Sequence, residues 1–348
     1  MNKHPNIFNF ATSELSQDAF LAWLLSWANP IYKNIDNDLH QLGFSFLKSL
    51  LAKQKIQLTN ISNLEVKTQF HKIDVFVDFT MNGKKYGIII EDKVYTNNHS
   101  NQLTTYKNKI ENKDFDVVVP IYLKTGFQHC YKDVQSKGFY PYSVKELISV
   151  LKTGLHIDNA ILNNYYEYIL SKEKEFDNAK YAYVNYKTIP VSNWKWWECT
   201  GFFSEYSNNF SAGWGSVGNN RQPLLAMWCK GAPLNIKDAD TGANLKLDLY
   251  LDVIYATNSL NINFRLGNLE AHPQTNNRNR NKIYNAFSSV LNKEGIIHRK
   301  PHFRKSKQTL CLAQVTDVDM NIKYDKFLAL ITDYKEVANQ FAINYTDA

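Results

Sequence analysis

Cysteine is scarce and placed for neither a covalent nor a metal framework. Cys130, Cys199, Cys229 and Cys311 show no C-x-x-C spacing. That excludes a disulfide scaffold and the common zinc motifs, and it fits reduced thiols in a cytoplasmic protein. No apolar run is long enough to cross a bilayer, so no membrane partner is expected. The N-terminus, MNKHPNIFNF, lacks the hydrophobic core of a secretory signal. Arginine is missing from the first 220 residues: all six, Arg221, Arg265, Arg278, Arg280, Arg299 and Arg304, follow. Net charge is +7, and residues 271–307 hold nine Lys or Arg against one acid, Glu294. This segment is either a solvated basic surface or a contact for a polyanion. Arg278, Arg280, Lys282, Arg299, Arg304 and Lys305 are its candidate phosphate contacts.

The chain does have the means to build a core. Its 348 residues, 44% hydrophobic and 21% charged, suit a soluble globular protein of about two domains. Residues 13–28, SELSQDAFLAWLLSWA, have helical apolar spacing, and a second helix is expected over 39–54. Two strand-like stretches follow, NLEVKTQF and KIDVFVDF, then Asn82-Gly83 as a hairpin turn and the strand YGIIIEDKV. A helix near 99–112, the strand VVVPIYL, a short strand near 139–144 and a helix over 144–152 complete an α-β-β-β-α-β order. That order predicts an α/β core with a mixed sheet. The polar stretch 171–189 reads as a junction between a domain over 1–170 and an α+β domain over 190–348.

The charges at the end of YGIIIEDKV need an explanation, because isolated charges seldom end a buried run. A two-residue Asn82-Gly83 loop sets a register in which Val75 faces Ile90, Asp74 faces Glu91 and Lys72 faces Lys93. Alternation puts Glu91 and Lys93 on one face and Asp92 on the other. Two carboxylates directly opposite one another repel. A divalent cation held by both would offset this, and hard oxygen ligands suit Mg²⁺ or Mn²⁺. The alternative is a carboxylate pair frayed into solvent at a strand end.

Asp74 followed by Glu91-Asp92-Lys93 resembles the PD-(D/E)XK nuclease superfamily. SELSQDAFLAWLL is similar to the first helix of a bacterial branch of it, and Gln102-x-x-x-Tyr106 is similar to its Q-x-x-x-Y helix motif. The resemblance covers roughly residues 5–150. It implies a restriction-endonuclease-like core and hydrolysis of nucleic acid, most often DNA, with Mg²⁺ or Mn²⁺. It implies that Asp74, Glu91 and the Asp92 carbonyl hold the metal, with Glu14 as a further ligand or reaching it through water. Lys93 would handle the attacking water, and Gln102 and Tyr106 would steady the site or touch the substrate backbone. The competing readings are a first-turn acid for Glu14, and a surface glutamine with a half-buried tyrosine for the helix pair. Ile73 stands where the family's name has proline.

The late domain carries no such motif, and it could serve DNA, a partner protein or a homodimer. At the level of function, the competitors are a non-catalytic binding module on the nuclease fold and a nuclease for RNA or branched DNA. Gly213-Trp-Gly215-Ser-Val-Gly218 lacks the strand and helix that a dinucleotide site needs, so a glycine turn is expected there. Trp194, Trp196 and Trp197 fit a core helix better than a base-stacking platform.

Overall fold

The computed structural model describes all residues except 1–4, 11–12, 96–100, 112, 211, 218–222, 273–276, 304–307 and 346–348. Two compact units divide the chain, Met1–Lys180 and Tyr181–Ala348.

The first unit follows the expected order. Helices α1 (Ser13–Ser26) and α2 (Asn37–Ala52) precede strands β1 (Ile61–Phe70), β2 (Ile73–Met81) and β3 (Lys84–Lys93). Helix α3 (Gln102–Glu111) crosses to β4 (Val117–Lys124). Short α4 (Lys132–Ser136), β5 (Tyr140–Ser143), α5 (Val144–Lys152) and α6 (Ala160–Asn185) follow. The sheet order is β1-β2-β3-β4-β5, antiparallel over the first three strands and parallel over the last three. The fold is thus α/β with a mixed sheet, the restriction-endonuclease-like architecture.

Both turns between the antiparallel strands need positive φ at two positions, and both obtain it. Asn82 and Gly83 have φ of 52° and 73°, and His71 and Lys72 have 54° and 72°. Such turns match the right-handed twist of a hairpin. The Asn82-Gly83 turn sets the expected register, with Val75 opposite Ile90 and Val77 opposite Ile88. One face of the hairpin, Val75, Val77, Phe79, Ile88 and Ile90, packs in a core with Leu21, Leu24 and Leu47 of α1 and α2. The other face, with Phe76 and Ile89, packs with Leu103 and Ile110 of α3.

The ladder ends at Val75 and Ile90, however, one step before Asp74 and Glu91. Lys72 does not meet Lys93, because it belongs to the β1–β2 turn. The expected Asp74–Glu91 ladder pair is therefore absent, although the two carboxylates still meet at Lys93. There the Asp92 backbone N–H donates to Asp74 Oδ2 at 2.9 Å. The polar stretch 171–189 is mostly helix: α6 runs to Asn185, and the boundary between the units lies within it.

The second unit is α+β. Helix α7 (Trp196–Phe210) leads into β6 (Gly213–Val217), β7 (Leu224–Lys237), β8 (Asn244–Ala256) and β9 (Ser259–Gly267). Helix α8 (Asn277–Lys293), β10 (His298–Arg299), β11 (Leu310–Val315) and α9 (Tyr324–Asn344) complete it. The sheet order is β10-β11-β9-β8-β7-β6, antiparallel throughout. The glycine-rich stretch expected to be a turn is instead the edge strand β6, paired with β7. Trp194 is buried in the core, where its indole N–H donates to Tyr186 O at 2.9 Å.

Candidate active site

Three oxygens converge on one ammonium. Lys93 Nζ lies 2.6 Å from Glu91 Oε1, 3.5 Å from Asp74 Oδ2 and 3.0 Å from the Asp92 carbonyl oxygen. Lys93 itself is only 7% exposed and Glu91 is fully buried. These are the same three oxygens that the sequence resemblance assigns to a metal. The set is hard and anionic, the donor chemistry a divalent cation takes, although no group of three acidic, His or Cys side chains stands ready as a metal cluster among the described residues. Glu91 Oε2 has no hydrogen-bond partner among the described residues. A buried carboxylate oxygen in that state has bonding capacity that a cation would satisfy.

Alternation along β3 decides which side chain goes where. Glu91 and Lys93 lie on the face shared with Ile89, beside α3. Asp92 points to the α1 side, where Gln17 Nε2 donates to its Oδ1 at 2.6 Å. Gln17 Nε2 also reaches Thr125 Oγ1 at 3.3 Å, and Tyr165 OH donates to Gln17 Oε1 at 3.0 Å. The ring of Tyr165 stacks on Phe20 of α1 with centroids 3.6 Å apart. Asp92 is therefore anchored by its side chain, which fixes the carbonyl that faces Lys93.

Helix α1 brings two acids. Glu14 Oε1 accepts from the Val94 backbone N–H at 3.3 Å, one residue beyond Lys93. Asp18, one helical turn later, is 4% exposed, and its Oδ1 has no hydrogen-bond partner among the described residues. Gln69 Nε2 links Asp18 Oδ2 and Asp74 Oδ1, at 3.5 and 3.4 Å. On α3, Gln102 Nε2 donates to Tyr106 OH at 3.0 Å, and the fields of Glu91 and Asp74 reach that hydroxyl.

The electrostatics follow from this crowding. Burial, then repulsion from Asp74, lifts the Glu91 carboxyl to about 8, outweighing the attraction of Lys93. Burial and Asp74 lift Asp18 to about 7. Burial, then Asp18, raises Asp92 well above the ordinary carboxylate range. Lys93 rises above its usual value, because Glu91 and Asp74 outweigh its own desolvation. Burial brings Lys124 down to about 8; its Nζ donates to the Val94 carbonyl at 3.0 Å.

These shifts fix the sign of a pH dependence. Between about 4.5 and 8 the folded chain keeps a proton on Glu91 that the unfolded chain has released. Stability must then fall as pH rises through that window, by up to about 1.4 kcal/mol per pH unit for one group. Asp18 acts in the same direction, and Lys93 stays charged throughout. The melting temperature of metal-free protein is expected to drop from pH 5 to pH 8, and added Mn²⁺ to recover most of the loss at pH 8. A melting curve insensitive to both would contradict the burial of these acids.

Of the residues singled out in the sequence, Asp74, Glu91, Asp92, Lys93 and Glu14 are brought together, with Gln102 and Tyr106 alongside. Asp18, Gln17 and Lys124 escaped the sequence reading. Asp18 follows Glu14 at i+4 on one helix face, a readable signal. Lys124 ends an apolar strand as Lys93 does and pairs with it in register. Gln17 offered no such cue.

The basic candidates lie in the second unit and are not alike. Arg278 and Lys282 are not buried on α8, and Arg278 pairs with Asp240 at 3.1 Å. Arg280 is buried, at 6% exposure, next to Asn279, which docks on Asp238 at 2.6 Å. Arg299 is exposed and donates twice to Gln314 Oε1, at 2.9 and 2.6 Å. Arg304 and Lys305 lie outside the described residues.

No curated protein and no solved structure matches the chain. The sequence model of one family, the PD-(D/E)XK nuclease superfamily, matches residues 5–195, more than half of the chain. The match takes in α1, the sheet with Asp74, Glu91 and Lys93, and the helix bearing Gln102 and Tyr106. The chain belongs to the PD-(D/E)XK nuclease superfamily.

Proposed function

We propose that the protein is a DNA nuclease that hydrolyses phosphodiester bonds with Mg²⁺ or Mn²⁺. The observation that carries this reading is the convergence of Glu91, Asp74 and the Asp92 carbonyl on one cationic point. Asp74, Glu91 and the Asp92 carbonyl would hold the metal, with Glu14 and Asp18 beside it on α1. The metal, when bound, would lower the pKa of a water and neutralise phosphate charge. The Lys93 ammonium would then be available to hold a water or a phosphate oxygen by hydrogen bonds and charge. Gln102 and Tyr106 would orient groups on the α3 side. Retention of Asp74, Glu91 and Lys93 together argues against a non-catalytic binding module.

The division of labour proposed is a catalytic domain over 1–170 and a recognition domain over 190–348 in a cytoplasmic protein. A place in restriction or anti-phage defence rests on analogy with other bacterial nucleases of this fold. The deciding experiment incubates pure protein and Mg²⁺ with plasmid, linear duplex, single-stranded DNA and RNA. Cleavage of DNA supports the reading. Cleavage of RNA alone replaces the substrate, and cleavage of nothing returns the binding module.

If α8 holds phosphates, the side chains that do so are Arg278 and Lys282. Arg278→Glu with Lys282→Glu is expected to weaken duplex binding. It should also reduce the salt slope by roughly 0.9 for each phosphate that the protein no longer neutralises. Arg280→Glu would instead lower the melting temperature, because it buries a new charge at the base of α8. Binding unchanged at every salt concentration in the Arg278/Lys282 variant would move the phosphate-binding surface elsewhere.

A further inference from the structure

We infer that the second unit's sheet carries a pocket for an unpaired nucleobase of a nucleic-acid strand, taken between Trp228 and Tyr250. The inference rests on the nuclease reading for its choice of partner, and on the sheet for everything else. Alternation along β8 sends Leu247, Leu249, Leu251 and Val253 to the core. The opposite face carries Tyr250 and Asp252, with Trp228 on β7 and Asn263 and Arg265 on β9. An ordinary solvent face would leave such groups wet. Here Asp252 is 1% exposed, Asn263 6% and Tyr250 9%.

The buried polar groups form a bonded set. Asn263 Nδ2 donates to Asp252 Oδ1 at 2.9 Å, and Arg265 Nη1 lies 3.4 Å from Asp252 Oδ2. Arg265 Nη2 donates to Thr309 Oγ1 at 2.7 Å. A buried carboxylate that locks an arginine and a threonine in place is costly to build for packing alone. It fixes Thr309, which lines the pocket together with Tyr250.

Where a Cβ would stand on Gly213 of β6, the nearest atom is Trp228 Cε3 at 3.5 Å. The corresponding atom for Gly267 of β9 is Tyr250 Cε1 at 3.2 Å. Each ring thus lies along a glycine of a neighbouring strand, and a pocket of about 380 Å³ opens between them. Lys230, Asp248 and Thr309 line it as well. The volume suits a group the size of a nucleoside. Ring faces for stacking, donors and an acceptor for a base edge, and a lysine for a phosphate are what an unstacked nucleotide requires. A base paired inside a duplex cannot enter, so single strands are the expected form. A free nucleotide has the same chemistry and is the other source.

The test measures binding in chelator, by anisotropy of labelled oligonucleotides. Trp228→Ala is expected to weaken single-strand binding about 5- to 150-fold, the effect of losing one base stack, and to leave duplex binding unchanged. Trp228→Phe, which keeps a ring, should restore most of the affinity. An oligonucleotide carrying 5-iodouracil, photolysed with the unmodified protein, should crosslink to Trp228 or Tyr250. Equal affinity in all variants, or crosslinks confined to other peptides, would overturn the pocket. Nucleoside monophosphates that bind as tightly as the oligonucleotide would overturn the strand as its source. Cleavage with Mg²⁺ is followed in parallel. Absence of base binding at this pocket with cleavage intact removes this inference alone. A working pocket in a protein that never cleaves supports it and removes the nuclease reading.

Discussion

Replacing Glu91 with glutamine or alanine, or Asp74 with alanine, is expected to lower cleavage at least about a hundredfold, since several kcal/mol of charge stabilisation is lost. The fold should survive. Glu91 is held near neutral by burial and by Asp74, so the uncharged glutamine copies the state it already favours without metal. Asp74 sits at the end of the hairpin, just beyond the last β2–β3 ladder pair. Its loss removes the bond from the Asp92 N–H but no part of the β2–β3 register. Circular dichroism and thermal melting establish that each variant is folded, and a plasmid assay gives the rate. A folded Glu91→Gln protein with full activity would place the chemistry elsewhere.

Lys93→Ala should abolish turnover for a different reason, and metal binding separates the two. In the metal-free protein Lys93 is the positive charge that Glu91, Asp74 and the Asp92 carbonyl share. A divalent cation must compete with that ammonium for the same oxygens. Removing the ammonium therefore leaves metal affinity unchanged or tighter, while the group that would hold water or phosphate is gone. Without metal the variant should melt lower at pH 8, because breaking a buried ion pair costs about 3–5 kcal/mol. The loss shrinks towards pH 5, where Glu91 and Asp18 are protonated. Calorimetric titration with Mn²⁺ is the check. If Lys93→Ala no longer binds metal, the lysine holds the site together and does not serve the reaction.

The core of the first unit could be read from local signals with one physical cause each. Asn82-Gly83 forces a tight turn, and the turn fixes which residues face which. The three isoleucines could be assigned to two faces because alternation leaves no choice. The register departed only where the ladder ends, and Lys72 misses Lys93 because it lies in the turn at His71-Lys72, which no glycine announces. The cluster around Lys93 was legible as charges ending a buried strand, and the same logic applied to Lys124 would have found it. Gln17 and Tyr165 were hidden, because Gln17 reaches Asp92, and Tyr165 reaches Gln17, from helices far away in sequence. The edge strand β6 was read as a turn because its glycines suggest one. In the sheet they pair with β7, and the Trp228 ring lies alongside them. Arg280 looked like its neighbours in a basic run, yet it is buried beside Asn279, which docks on Asp238.

The central claim is that Asp74, Glu91 and the Asp92 carbonyl form a metal-dependent hydrolytic site. Its most direct test is cleavage of plasmid DNA by the pure protein in Mg²⁺, in Mn²⁺ and in excess chelator. Cleavage with either ion and none in chelator is the predicted result. Cleavage that continues at the same rate in chelator would contradict it.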